Sequence, residues 1–102
     1  MRNPKESEIQ KTILDWLRWN KFFAWKNNTA GIFKKATNTY IPSHNVGAPD
    51  IFAIKAGKFY GIEVKRPKNE PTTNQLEWGR QLEAAGGKYI VATSLDNLIN
   101  ML

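Results

Sequence analysis

Three charged side chains, Asp50, Glu63 and Lys65, carry the chemistry of this sequence. They lie in GAPDIFAIKAGKFYGIEVK, from Gly47 to Lys65, where two apolar runs, Ile51 to Ile54 and Phe59 to Val64, flank Lys55-Ala56-Gly57-Lys58. That pattern predicts a β-hairpin. With Ala56-Gly57 at the tip, Lys55 opposes Lys58, and the same register sets Asp50 opposite Glu63, with Cβ atoms about 5 Å apart. Lys65 shares their face because strand side chains alternate with a period of two. The two carboxylates repel, and the rest of the face, Phe52, Ile54, Phe59 and Gly61, is apolar. A cation between them resolves the conflict. Lys65 is one candidate; Mg2+ fits better, because it binds through one or two carboxylates together with water and phosphate oxygens. All of this stands on the register, since a slip of one residue turns Glu63 to the other face.

The elements around the hairpin follow from periodicity and caps. Its opposite face, Ile51, Ala53, Tyr60, Ile62 and Val64, is also apolar, which predicts central strands covered by helices. Asn3 as N-cap, Pro4 and Glu6 predict a helix from about Pro4 to Trp19, with Ile9, Ile13, Trp16, Leu17 and Asn20 along one stripe. Glu6 and Gln10 share one side of its first turns, and by spacing alone Glu6 reads as an acid that complements the helix dipole. Lys21 to Lys26 predicts the first strand. A polar connection of about twenty residues follows, from Asn27 to Val46, long enough to be functional or to conceal elements. A strand pair is available in Ile32-Phe33 and Thr39-Tyr40-Ile41. Lys34, Lys35, Tyr40 and His44 suit phosphate and base contacts, although a lone His44 reads first as an ordinary loop residue.

Beyond the hairpin, Thr72 and Gln75 form a candidate capping box for a helix from about Thr73 to Ala85 that buries Leu76, Gly79 and Leu82 and stops at Gly86-Gly87. Lys88 to Thr93 predicts a fourth strand, and Ser94 caps a last helix with Leu95, Leu98, Ile99 and Leu102 on one face. The expected class is α/β, in the order αβββαβα, around a mixed four-stranded sheet flanked by helices.

At 102 residues the chain suits a single domain, and the absence of Cys excludes disulfides and zinc ribbons. No stretch reaches transmembrane length and the N-terminus lacks a signal-peptide core, so the expectation is a soluble cytoplasmic protein without a membrane partner. Charge says more. The net charge is +6 with a sequence pI near 9.7, the balance of a nucleic-acid binder. Between Asp15 and Asp50 there is no acid, while Arg18, Lys21, Lys26, Lys34 and Lys35 all lie there; Lys65, Arg66 and Lys68 form a second basic cluster.

Asp50 after Pro49, then Glu63-x-Lys65 on the next strand, resembles the PD-(D/E)xK nuclease signature. The wording Gly47-Ala48-Pro49-Asp50, Glu63-Val64-Lys65 and Gln75 at the next helix is most similar to the VRR-NUC (virus-type replication-repair nuclease) family. Glu6-x-x-Ile9-Gln10 and Asn27-Asn28-Thr29 also resemble its small phage and bacterial members. The resemblance implies a restriction-endonuclease-like fold and metal-dependent phosphodiester hydrolysis with Mg2+ or Mn2+. It implies Asp50, Glu63 and the Val64 carbonyl as metal ligands and Glu6, or Glu8, as the acid completing the site. It implies Lys65 as the group that orients water and stabilises phosphorane charge, and Gln75 as a support for Lys65 or the scissile phosphate. Lys26, Asn28, Lys34, Lys35, Arg66 and Lys68 are the expected nucleic-acid contacts. Stand-alone members resemble Holliday-junction resolvases, so the expected substrate is branched or junction DNA and the expected state a homodimer, in a DNA-repair role in a bacterial or phage-infected cell. The alternative from another class is a non-catalytic nucleic-acid-binding module that keeps the fold.

Overall fold

The computed structural model describes residues 4–27, 32–41 and 46–102. Elements run α1 (Glu6–Trp19), β1 (Phe23–Lys26), β2 (Ile32–Lys34), β3 (Thr39–Ile41), β4 (Ile51–Lys55), β5 (Lys58–Val64), α2 (Thr73–Ala84), β6 (Lys88–Ala92) and α3 (Leu95–Met101). Four strands form one sheet in the order β1-β4-β5-β6, antiparallel except for the parallel β5–β6 pair. This is the expected mixed sheet with flanking helices. The strand pair foreseen inside the long connection forms as well, as a separate two-stranded sheet of β2 and β3.

The predicted hairpin register holds throughout: Ile51 pairs Ile62, Ala53 pairs Tyr60 and Lys55 pairs Lys58. β4 and β5 are the central strands, because a hairpin apolar on both faces is stable only when both are covered. On one face Ile51, Ala53, Ile62 and Val64 meet Ile9, Ile13 and Leu17 of α1, Leu98 of α3, and Ile90 and Ala92 of β6 in one core. On the other face α2 lies over β5 and β6. Gly79 lets it approach, since a Cβ there would collide with the Tyr89 ring. Trp78 stacks on Phe52 with ring centroids 5.6 Å apart.

The ends of α2 are as the sequence predicts. Thr72 Oγ1 accepts from the Gln75 N–H at 3.2 Å, and Gln75 Oε1 accepts from the Thr72 N–H at 2.8 Å, a complete capping box. At the far end Gly86, with φ +100°, closes a Schellman motif: the Gly87 N–H reaches the Leu82 carbonyl and the Gly86 N–H the Glu83 carbonyl. Ser94 caps α3 by accepting from the Asn97 N–H.

Three expectations are corrected. α1 starts at Glu6 with Lys5 as N-cap, not at Pro4; the Lys5 carbonyl accepts from the Glu8 and Ile9 N–H groups, and Glu6 and Glu8 meet the helix dipole without a side-chain cap. Asn3, the expected cap, lies outside the described residues. The first strand begins at Phe23 rather than Lys21, which has φ +67° and turns the chain out of α1. Leu76 is 55% exposed, because α2 directs Gln75, Trp78, Gly79 and Leu82 inward and leaves Leu76 off that stripe. Among the described residues no helix is long and apolar enough to cross a membrane.

Candidate active site

The site forms where β4 begins and β5 ends, under the first turn of α2. Gly47 sets its edge: at φ +91° it passes so close to Asn74 of α2 that a Cβ would meet the Asn74 carbonyl at 2.5 Å. Only glycine fits, in conformation and in space. Ala48 and Pro49 then bury and deliver Asp50 to the head of β4.

Asp50 is fixed at three points. Its carbonyl accepts from the Asn27 N–H at 2.7 Å, Asn27 Nδ2 donates to the Pro49 carbonyl at 3.2 Å, and its Oδ2 accepts from the Val64 N–H at 2.8 Å. That last bond turns the carboxyl towards Glu63, as one more step of the β4–β5 register requires. In an extended strand the N–H and C=O of one residue point to the same edge, so the Val64 carbonyl faces the same side. Among the described residues Glu63 is the buried charged side chain, 3% exposed. Its Oε1 accepts from Gln75 Nε2 at 2.8 Å, and its Oε2 is buried with no partner among the described residues.

Electrostatics follow from the geometry. Burial, then the Asp50 charge, pushes the Glu63 carboxyl up to about 8, with Lys65 opposing and Glu6 adding to the rise. Asp50 is also raised, chiefly by burial, against the pull of the Val64 N–H. Without a cation, burial and the repulsion between the two acids favour a proton on the pair. Lys65, half-buried, lowers both, so its ammonium lies within their field.

The sequence left Glu6 and Glu8 as alternatives. Glu6 acts on both Asp50 and Glu63, while Glu8 lines another cleft with Thr12, Thr93, Ser94 and Leu95. Gln75 serves as cap and site residue at once: its Oε1 accepts from the Thr72 N–H and its amide donates to Glu63. Lys26 is exposed at the end of β1, and Arg66 and Lys68 are exposed just beyond β5. Lys35 is exposed in the β2–β3 turn, apart from the four-stranded sheet, and Lys34 lies on β2. Asn28 and His44 lie outside the described residues.

Sequence reasoning missed Tyr89. Its hydroxyl is buried without a partner among the described residues, and burial, then Glu63 and Asp50, hold the phenol well above its ordinary value. No signal in the sequence marks it, because Tyr89 reaches the acid face only through the parallel pairing of β5 with β6, opposite Gly61.

Two acids, one orphaned buried oxygen and a strand carbonyl fit a hard divalent cation that keeps water in its shell. Among the described residues no cluster of three His, Cys, Asp or Glu side chains stands ready to hold a metal, so water and substrate oxygens would supply the remaining positions. The acid pair sits at the mouth of a central hairpin, in an α/β fold with a mixed sheet and helices on both faces. Several solved structures share this fold. One, described as a VRR_NUC domain protein, aligns over 98% of this chain and 86% of its own with TM-score 0.73 and 22% identity. Another, a VRR_NUC domain, aligns over 94% and 91% with TM-score 0.69 and 18% identity. The chain therefore has the VRR-NUC fold, as the motif resemblance implied. No protein-family model and no curated protein sequence matches it.

Proposed function

We propose that this chain is a metal-dependent endodeoxyribonuclease, using Mg2+ or Mn2+, with Asp50 and Glu63 as metal ligands beside the Val64 carbonyl and Lys65 as the cation at the reacting phosphate. The observation that carries the reading is Glu63: a buried carboxyl with an unpaired oxygen, set against a second acid and within reach of a lysine. A fold that needed only packing would fill that position with an apolar side chain, since burying like charges is costly.

A divalent cation there supplies Lewis-acid polarisation of a phosphoryl oxygen and offsets the repulsion between substrate and acids. The chain's own groups do the rest. Asp50, held by Val64 and Asn27, keeps one oxygen free to bind. Gln75 fixes the Glu63 rotamer. Lys65 orients the attacking water and stabilises charge on the phosphorane, and Glu6 adds negative charge from α1. The net charge of +6 steers the DNA backbone towards the acids, with Lys26, Arg66 and Lys68 exposed to meet it.

The proposed substrate is branched DNA, and a homodimer supplies the second site needed to cut two strands symmetrically. Labelled linear, nicked, flap and four-way DNA incubated with Mg2+, Mn2+ or EDTA tests the reading. Cleavage should need metal and be lost in Lys65→Ala; metal-independent cutting, or full activity of the variant, overturns it. The alternative, a non-catalytic nucleic-acid-binding module, predicts that Asp50→Ala changes nothing, whereas the nuclease reading predicts lost cleavage with retained or tighter binding.

A further inference from the structure

Glu63 Oε2 and the Tyr89 hydroxyl are both buried without a hydrogen-bond partner among the described residues, and they belong to the same face of the sheet. The register sets this. Gly61 pairs Tyr89 and Glu63 pairs Val91, and side chains two apart on a strand share a face, so Tyr89 stands one diagonal step from Glu63.

The Tyr89 ring is held where it lies. It packs so closely under Gly79 of α2 that a Cβ there would collide with it, and the Tyr89 N–H donates to Glu83 Oε2 at 3.2 Å. Clamped between sheet and helix backbone, the ring cannot carry its hydroxyl out to water. Among the charges acting on the phenol Glu63 comes first and Asp50 second, which puts the hydroxyl end in the field of the acid pair. A buried hydroxyl with nothing to bond is costly, and phenylalanine would fill the space under Gly79 without that cost. Tyr89 and Glu63 Oε2 make no direct bond, yet one water between them satisfies both, accepting from the Tyr89 O–H and donating to the carboxylate. A carboxylate oxygen has two lone pairs, so Oε2 accepts that bond and still faces a cation.

We propose that Tyr89 is a positioning residue of the acid site: its hydroxyl, through one water, holds Oε2 of the ionised Glu63 as Gln75 holds Oε1. Then β6 and α2 fix the carboxylate from two sides and present a cation with a preformed ligand. The metal half of this role rests on the nuclease reading; the bond to Glu63 does not.

Tyr89→Phe keeps the ring under Gly79 and removes only the hydroxyl. Urea unfolding in EDTA at pH 9, above the value of about 8 at which Glu63 titrates, tests the bond without metal or DNA. A hydroxyl that serves a charged group predicts a midpoint lower by about 1 M in Tyr89→Phe than in wild type, and a much smaller drop when both carry Glu63→Gln. An unbonded hydroxyl predicts the opposite sign, because its removal relieves a buried polar group. A midpoint unchanged or raised, or lowered equally in the Glu63→Gln background as for a packing role, overturns the proposal. Mn2+ titration followed by electron paramagnetic resonance, again without DNA, tests the metal half: Tyr89→Phe should bind about tenfold more weakly than wild type, and equal affinity overturns that half. Wild type that binds no Mn2+ would sink the metal-dependent nuclease reading, and the urea midpoints would still decide whether Tyr89 holds Glu63.

Discussion

Glu63 binds its proton more tightly in the folded chain than in the unfolded one, where its carboxyl titrates near 4.5 rather than about 8. Unfolding therefore releases a proton between those values, and the metal-free fold loses stability as pH rises through that window. Urea midpoints in EDTA should fall from pH 6 to pH 9 for wild type, and much less for Glu63→Gln, which should also abolish cleavage. Because a cation displaces that proton, Mg2+ should raise the midpoint more at pH 8.5 than at pH 6. A flat profile for wild type would contradict the buried acid pair. Gln75 offers a second test. Gln75→Glu keeps an oxygen for the Thr72 N–H but replaces the donor to Glu63 with a like charge, so it should lower the urea midpoint in EDTA and lose about 10- to 100-fold in metal affinity or activity. Metal titration followed by Trp fluorescence checks the affinity, and cleavage rate the activity.

At the scale of elements, Gly47 and α2 decide whether the acids meet. Gly47→Ala forces both a left-handed backbone and a contact with the Asn74 carbonyl, and should cost about 1–3 kcal/mol in denaturant unfolding. The loss should be accompanied by weaker activity, since α2 carries Gln75. Much of this level was legible in the sequence. The short Lys55–Lys58 turn fixes the β4–β5 register, and with it the facing of Asp50 and Glu63, by local chain geometry alone. Capping boxes and Gly-Gly stops are local too, which is why both ends of α2 were readable. What could not be read depends on packing between distant segments. Leu76 matched the apolar stripe, yet α2 is rotated by the contacts of Trp78 with Phe52 and of Gln75 with Glu63, neither visible in a single helix. The choice between Glu6 and Glu8 depends likewise on how α1 lies across the sheet. Tyr89 enters the site only through the parallel pairing of β5 with β6.

For the whole molecule, charge and the aromatic face of the sheet set the expectations. α2 lies over β5 and β6, while Phe23, Trp25, Phe52 and Phe59 form a chain of ring contacts across β1, β4 and β5, with Phe23 70% exposed. Sedimentation should show a dimer if the proposed two-site enzyme is right; a monomer, free and on DNA, would leave only single-strand nicking or flap cutting. DNA affinity should fall steeply with salt, log K against log salt having a slope of about −0.9 per phosphate contact. Arg66→Ala, at an exposed position beside Lys65, should lower that slope by about one without altering the fold.

The Gln75 side chain spans from the Thr72 N–H to the Glu63 carboxyl, so the opening turn of α2 and the acid pair share one fastener. When that turn frays, Glu63 loses its donor in the same motion; helix end and reaction centre breathe as one unit. Amide hydrogen exchange at Gln75 and Leu76 should therefore slow when a divalent cation is added, turning two backbone protons into a gauge of how often the site is assembled.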